Sequence, residues 1–181
     1  MKWLKANDQV LRYELSPTTG PVLVLIHEMG GAVESWDQVC GLLKGKFQTL
    51  RYDVRGSGLS QKIVGEVDLD AHVDDLAALL DALQIQGPVA LAGVAVGAAI
   101  AIRFAALHPL RVSHLIGMAP ACGVAPAARE ATLERAQAIR LQGLNTLIPA
   151  LLDKTWPEPL RTDAGEFERF SLRWLSADPH S

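Results

Sequence analysis

Two cysteines in 181 residues, Cys40 and Cys122, are too few for a disulfide scaffold, and no Cys or His spacing suits a metal. Neither a covalent staple nor a metal ligand set is expected. Basic runs are also missing. Seventeen Lys and Arg against twenty Asp and Glu give a net charge of -3, so the clustered cations that neutralise nucleic-acid phosphates are absent. Gly, Pro or a charge breaks every apolar stretch before about 18 residues, which leaves no candidate membrane span. The N-terminus lacks the charged-then-apolar pattern of a secretory signal, and a reducing cytoplasm is the expected location. No dinucleotide motif is present. Gly93-Val-Ala-Val-Gly97 departs from G-x-G-x-x-G, and no acidic residue ends the run at Val112–Met118, so no cofactor is expected. No internal repeat or low-complexity tract is visible.

What remains is 49% hydrophobic and 20% charged, enough to bury a sizeable core within one globular chain. Asn7 to Ser16 alternates apolar and polar residues as an antiparallel strand does, and Pro17 to Gly20 closes it with turn residues. Pro21 to Ile26 is a continuous β-branched and leucine run, the pattern of a strand buried on both faces. His27-Glu-Met-Gly-Gly31 ends it. Ser35 to Gln38 has capping-box spacing before a short helix carrying Trp36, Val39 and Leu43. Phe47 to Tyr52 reads as another buried strand. Asp70 to Leu83 has helical spacing in Val73, Leu76, Ala77, Leu80 and Leu83. A strand from Val89, an almost wholly apolar helix from Ala98 to Leu107, and a strand from Val112 to Met118 follow. This alternation implies an α/β fold, a mostly parallel sheet with right-handed crossover helices whose ligands sit at the carboxyl ends of the strands. Beyond Pro120 only helical spacing remains, over Pro126–Gln142, Leu144–Lys154 and Asp163–Ala177. The expected division is a core over residues 1–124 and a partial helical cap over 125–181.

The chain is organised around Gly93-Val94-Ala95-Val96-Gly97, where small residues let a strand pass almost directly into a helix and push the middle residue out at the top of the sheet. This is the spacing of a nucleophile elbow, G-x-S-x-G, with Ala95 in place of serine.

With the segments Leu25 to Gly31, Tyr52 to Ser60, the elbow, and His108-Pro-Leu-Arg-Val112 in place, the chain resembles the α/β-hydrolase superfamily. Within it, the chain is similar to the branch of 3-oxoadipate enol-lactonases and related small esterases. Residues 10 to 120 carry the resemblance, and Trp174 to Pro179 is similar to that branch's last cap helix. The resemblance implies an oxyanion hole built from the backbone N–H groups of Met29 and Val96. It also implies a structural role for His27 and loop-holding hydrogen bonds and an ion pair for Asp53 and Arg55. Three departures stand out. Alanine occupies the serine position, and a methyl group cannot form an acyl-enzyme. Glu28 stands where the family has glycine. The family's acid and histidine follow two further strands, which makes the fold C-terminally incomplete and leaves an apolar sheet edge to be covered. Association with the missing C-terminal segment, or a homo-oligomer, is therefore expected.

His27 and Glu28 are the titratable pair nearest the expected pocket and the acid/base candidates. Glu28 points away, is neutralised by a cation such as Arg55, or serves a different reaction. Met118 and Trp156 are candidates to line an apolar substrate pocket, with packing in the core as the alternative. Cys122 reads as a packed thiol, Ser57 and Ser60 as loop residues, His72 as a helix-surface residue and His114 as a strand-end residue. His180 is too near the terminus to read. Ala95 admits two origins: native elbow geometry, or a serine replaced to hold a substrate. Val94 and Val96 beside it favour the first. The leading function is hydrolysis of a small ester, lactone or β-keto compound, disabled as it stands by Ala95. The alternatives are a serine-independent enzyme using Glu28 or His27, and a ligand-binding pseudoenzyme.

Overall fold

In the computed structural model, which describes residues 2–144 and 148–178, the chain forms two units, Met1–Cys122 and Gly123–Ser181. The first is built on a six-stranded sheet: β1 (Lys2–Ala6), β2 (Gln9–Leu15), β3 (Val22–Ile26), β4 (Gln48–Tyr52), β5 (Val89–Val94) and β6 (Val112–Met118). Their spatial order is β1-β2-β4-β3-β5-β6. The β1–β2 and β2–β4 pairs are antiparallel and the other three are parallel.

The antiparallel strand expected over Asn7–Ser16 is β2, and β1, which the sequence pattern did not mark, precedes it and pairs with it as a hairpin. Asn7 and Asp8 form its two-residue turn with φ of 48° and 58°. Positive φ at both central positions is the requirement of the hairpin turn whose twist matches its strands, and Asn and Asp are the side-chain-bearing residues that tolerate it best.

From β3 the chain runs through α1 (Asp37–Leu43) to β4 on one side. From β4 it runs through α2 (Leu69–Ala82) and crosses to β5 on the other side. The loops leaving β3 and β5 therefore diverge at a topological switch point, where an open α/β sheet has its crevice. Strand β3 is covered on both faces, as its unbroken apolar run predicts. Leu23 and Leu25 pack with Trp36 and Ala92 beside Val39 and Leu43, while Val24 and Ile26 pack with Leu76, Ile100 and Phe104 on the other face. Helix α3 (Val96–Leu107) begins two residues earlier than the apolar spacing suggests and buries Ala98, Ile100, Ala101 and Phe104. The short helix is preceded by a 3-10 turn at Val33–Trp36. Ser35 lies inside that turn rather than at a helix cap. Strands β1 and β6 are the two edges of the sheet, and β6 leaves Leu115, Ile116 and Met118 exposed.

The second unit is helical: α4 (Pro126–Gln142), α5 (Ile148–Thr155) and α6 (Ala164–Leu175). Trp156 packs edge-on against Phe167 and Phe170, and the Arg161 guanidinium lies 3.9 Å from the centre of the Phe167 ring. No helix among the described residues is long and apolar enough to cross a membrane.

Candidate active site

The turn between β5 and α3 is tight because two glycines remove its side chains. A Cβ on Gly93 would collide with the backbone of Gly97 and Ala98, and one on Gly97 with the carbonyl oxygens of Ile26 and His27. The second contact shows that the start of α3 rests directly on the end of β3. Between the glycines, Ala95 is held at φ 52° and ψ -113°, a conformation an L-residue adopts only under constraint, at a cost of about 1–3 kcal/mol. The constraint is visible. The Ala95 N–H donates to the Met118 carbonyl at 3.0 Å, and its own carbonyl accepts from Ala99 (3.1 Å) and Ala121 (3.0 Å). The segment leaving β6 is thus bonded to the turn on both sides, and Ala119 within it also has a positive φ of 46°.

The loop after β3 is fixed by His27, whose ring is fully buried. Its Nε2 accepts from the Val54 N–H at 3.0 Å, which leaves Nδ1 carrying the proton it shares with the Glu28 carbonyl at 2.7 Å. Both ring nitrogens are engaged by backbone, so the ring serves as a clamp and not as the acid/base candidate that its position suggested. Beyond it, Gly31 N–H donates to the Glu28 carbonyl and Gly30 adopts φ 73°. The turn leaves the Met29 N–H unused among the described residues, and Met29 itself is 69% exposed. Val96, the first residue of α3, likewise has an N–H without an intrahelical acceptor.

Glu28 is half-buried and folds back over its own loop. Its Oε1 accepts from the Ser35 hydroxyl at 3.0 Å, and a Cβ on Gly31 would sit 2.7 Å from its carboxyl carbon. Arg55 does not neutralise it. That guanidinium is taken by fully buried Asp75, at 2.6 Å through Nε and 2.5 Å through Nη2, and this hydrogen bonding strengthens its hold on its proton. Asp53 does not pair with Arg55 either. It is buried with Arg12, accepts from the N–H groups of Val33 (2.7 Å) and Leu59 (2.8 Å), and so ties the loops after β3 and β4 together. Arg12 is shared with Glu34, and the Ser60 hydroxyl bridges the Arg12 N–H and the Asp53 carbonyl.

Arg12 and Asp75 were not singled out by sequence reasoning, although a signal existed. Both are charged residues in apolar surroundings, Arg12 inside a strand and Asp75 beside the Val73–Leu76 stripe, and buried charges demand partners. His72 is half-buried on α2 rather than open to solvent. It lies in the first turn of α2 with a buried Nδ1 that has no hydrogen-bond partner, and burial pushes its titration below the ordinary value, with Asp75 pulling the other way. Cys122 is exposed rather than packed, Ser60 is buried, and His114 is exposed in mid-strand. Met118 borders the turn through its carbonyl, while the Trp156 indole donates to the Leu160 carbonyl inside the second unit. His180 lies outside the described residues.

A protein-family model described as "Serine aminopeptidase, S33" matches residues 17–180. Among curated proteins the chain is similar to 3-oxoadipate enol-lactonase 2 of Acinetobacter baylyi, 30% identical over 80% of this chain and 53% of that one. It is also similar to (E)-2-((N-methylformamido)methylene)succinate hydrolase of the same organism, 28% identical over 82% of this chain and 56% of that one. The chain therefore spans about half the length of these relatives. Among solved structures it superposes on a thermophilic esterase from Thermogutta terrifontis, with malate bound, at a TM-score of 0.91 and 25% identity, covering 99% of this chain and 69% of the esterase.

Proposed function

The chain belongs to the α/β-hydrolases of the serine aminopeptidase S33 family, and from that premise we propose that it carries the acyl-binding half of a hydrolase of small esters or lactones. The Gly93–Gly97 turn is the nucleophile elbow, and Ala95 leaves its nucleophile position without a hydroxyl. The N–H groups of Met29 and Val96 are the oxyanion hole. They receive the carbonyl oxygen of a bound acyl compound, and each such donor is worth about 3 kcal/mol to developing negative charge. As it stands, the chain binds and polarises a carbonyl without taking the acyl group.

The observation that carries this reading is the backbone of Ala95. A strained conformation is kept there, with hydrogen bonds on both sides and glycines cleared around it, although the alanine side chain does no chemistry. The amides of Met29 and Val96, left unused by the turns that present them, give the strain a purpose. A serine-independent mechanism has less support, because both nitrogens of His27 are bonded to backbone and Glu28 is engaged by Ser35.

The test is Ala95→Ser treated with p-nitrophenyl butyrate. The serine oxygen attacks the ester carbonyl, p-nitrophenolate leaves with the bonding pair, and the hydroxyl proton passes to solvent. Intact mass and peptide mapping are expected to find one butyryl group on residue 95 of the variant and none on that peptide of the Ala95 protein. An unmodified variant, or acylation only elsewhere, would defeat the proposal.

A further inference from the structure

Glu28 places a carboxylate at the mouth of the loop that presents the Met29 N–H. Two covalent bonds separate the Glu28 Cα from that nitrogen, so the carboxylate stays within about 6 Å of it in any rotamer. A negative charge at that distance opposes an anionic oxygen or a carboxylate-bearing ligand and favours a cation. Nothing in the surrounding chain cancels it. Among the described residues the sole polar partner of the Glu28 side chain is the Ser35 hydroxyl, and no cation pairs with it. The guanidinium groups on neighbouring segments are committed elsewhere: Arg12 to Glu34 and Asp53, Arg51 to Glu14 and Asp37, and Arg55 to Asp75.

The carboxylate is also given a seat. Ser35 fixes Oε1 at 3.0 Å, and Gly31 leaves open the space where a methyl group would meet the Glu28 carboxyl carbon at 2.7 Å. The half-buried setting shields the charge less than open water would, so its influence on a neighbouring ligand persists.

We propose that Glu28 is the charge-selecting residue of the acyl site, and that the site takes esters or lactones carrying an ammonium group near the carbonyl rather than a carboxylate. The cation that Glu28 lacks within the chain is supplied by the ligand. This inference rests on the acyl-site reading of the Met29 and Val96 amides.

Binding to the Ala95 protein tests it without any turnover, using three probes that share one butyramide chain: 4-aminobutyramide (cationic), butyramide (neutral) and glutaramate (anionic). Affinity is expected to fall in that order, with successive probes differing on the order of tenfold at low salt and the spread narrowing as salt rises. In Glu28→Gln the ratio of cationic to anionic affinity is expected to collapse towards one. In Gly31→Ala, where the new methyl displaces the carboxylate from its seat, the same ratio shrinks while the charge remains. Equal affinities, tightest binding of glutaramate, no binding of any probe, or a ratio unmoved by Glu28→Gln overturns the proposal. The two readings fail separately. If Ala95→Ser takes no acyl group while the charge ranking and its loss in Glu28→Gln persist, the acyl reading falls. If acylation succeeds without the ranking, the charge selection falls.

Discussion

Single positions show what the fold tolerates around the turn between β5 and α3. Ala95 holds a strained backbone in the turn between β5 and α3, so what it contributes is read from φ, ψ and hydrogen bonds and not from its side chain. Tyr52 shows the reverse case, a side-chain group with no counterpart. Its ring is fully buried at the end of β4 and its hydroxyl has no hydrogen-bond partner, and burial pushes the phenol's titration well above the ordinary range. Tyr52→Phe keeps the ring and removes the orphaned hydroxyl, so stability in urea is expected to rise by about 1 kcal/mol. His72 makes a pH-dependent prediction. Burial lowers its titration from the ordinary 6.5, so the folded state favours the neutral ring. Above 6.5 both folded and unfolded states are neutral and nothing is lost. As pH falls below 6.5 towards the folded-state value, the unfolded chain binds a proton that the folded one refuses, and stability drops. Denaturation midpoints measured across this range are expected to fall less steeply in His72→Gln than in the unchanged protein.

Elements were legible in the sequence where period and punctuation agreed. The continuous run of β3, the apolar stripe of α2 and the glycine-framed passage from β5 to α3 each have one structural solution, and the chain adopts it. The hairpin at the N-terminus was not legible as two strands. Lys2–Ala6 leaves Trp3 47% exposed and has little apolar contrast, so only the Asn7-Asp8 turn marks the boundary. The 3-10 turn before α1 was hidden for a different reason. Ser35 has the spacing of an N-cap, but it sits at the third position of the 3-10 turn, where its hydroxyl accepts from the Ala32 N–H at 3.4 Å and donates to Glu28. Helix α2 has a cap that can be tested. The Asp68 side chain accepts from the Ala71 N–H at 2.8 Å, so Asp68→Ala is expected to cost about 1 kcal/mol of stability, read by urea denaturation.

At the scale of the molecule, the site arises from topology before chemistry. The chain turns one way from β3 to β4 and the other way to β5, and the crevice so formed receives the loops after β3 and β5 side by side. The close approach of Gly97 to the end of β3 then fixes the two loops against each other. The sequence motifs announced both loops. They did not announce the buried network beneath them, in which Asp53 and Arg12 tie the loops after β3 and β4 to β2, and Arg55 with Asp75 ties the second of these loops to α2. Such pairs depend on which charges burial brings together, and that is set by tertiary packing rather than by spacing along the chain. In the proposed reading, the Met29 and Val96 amides form one acyl-oxygen site beside Ala95. It is tested most directly by following the backbone amide resonances of the isotopically labelled Ala95 protein during titration with butyramide, an uncharged probe. Met29 and Val96 are expected to shift together and saturably, with one common affinity. Saturable shifts that map elsewhere and leave these two amides unmoved would contradict that reading.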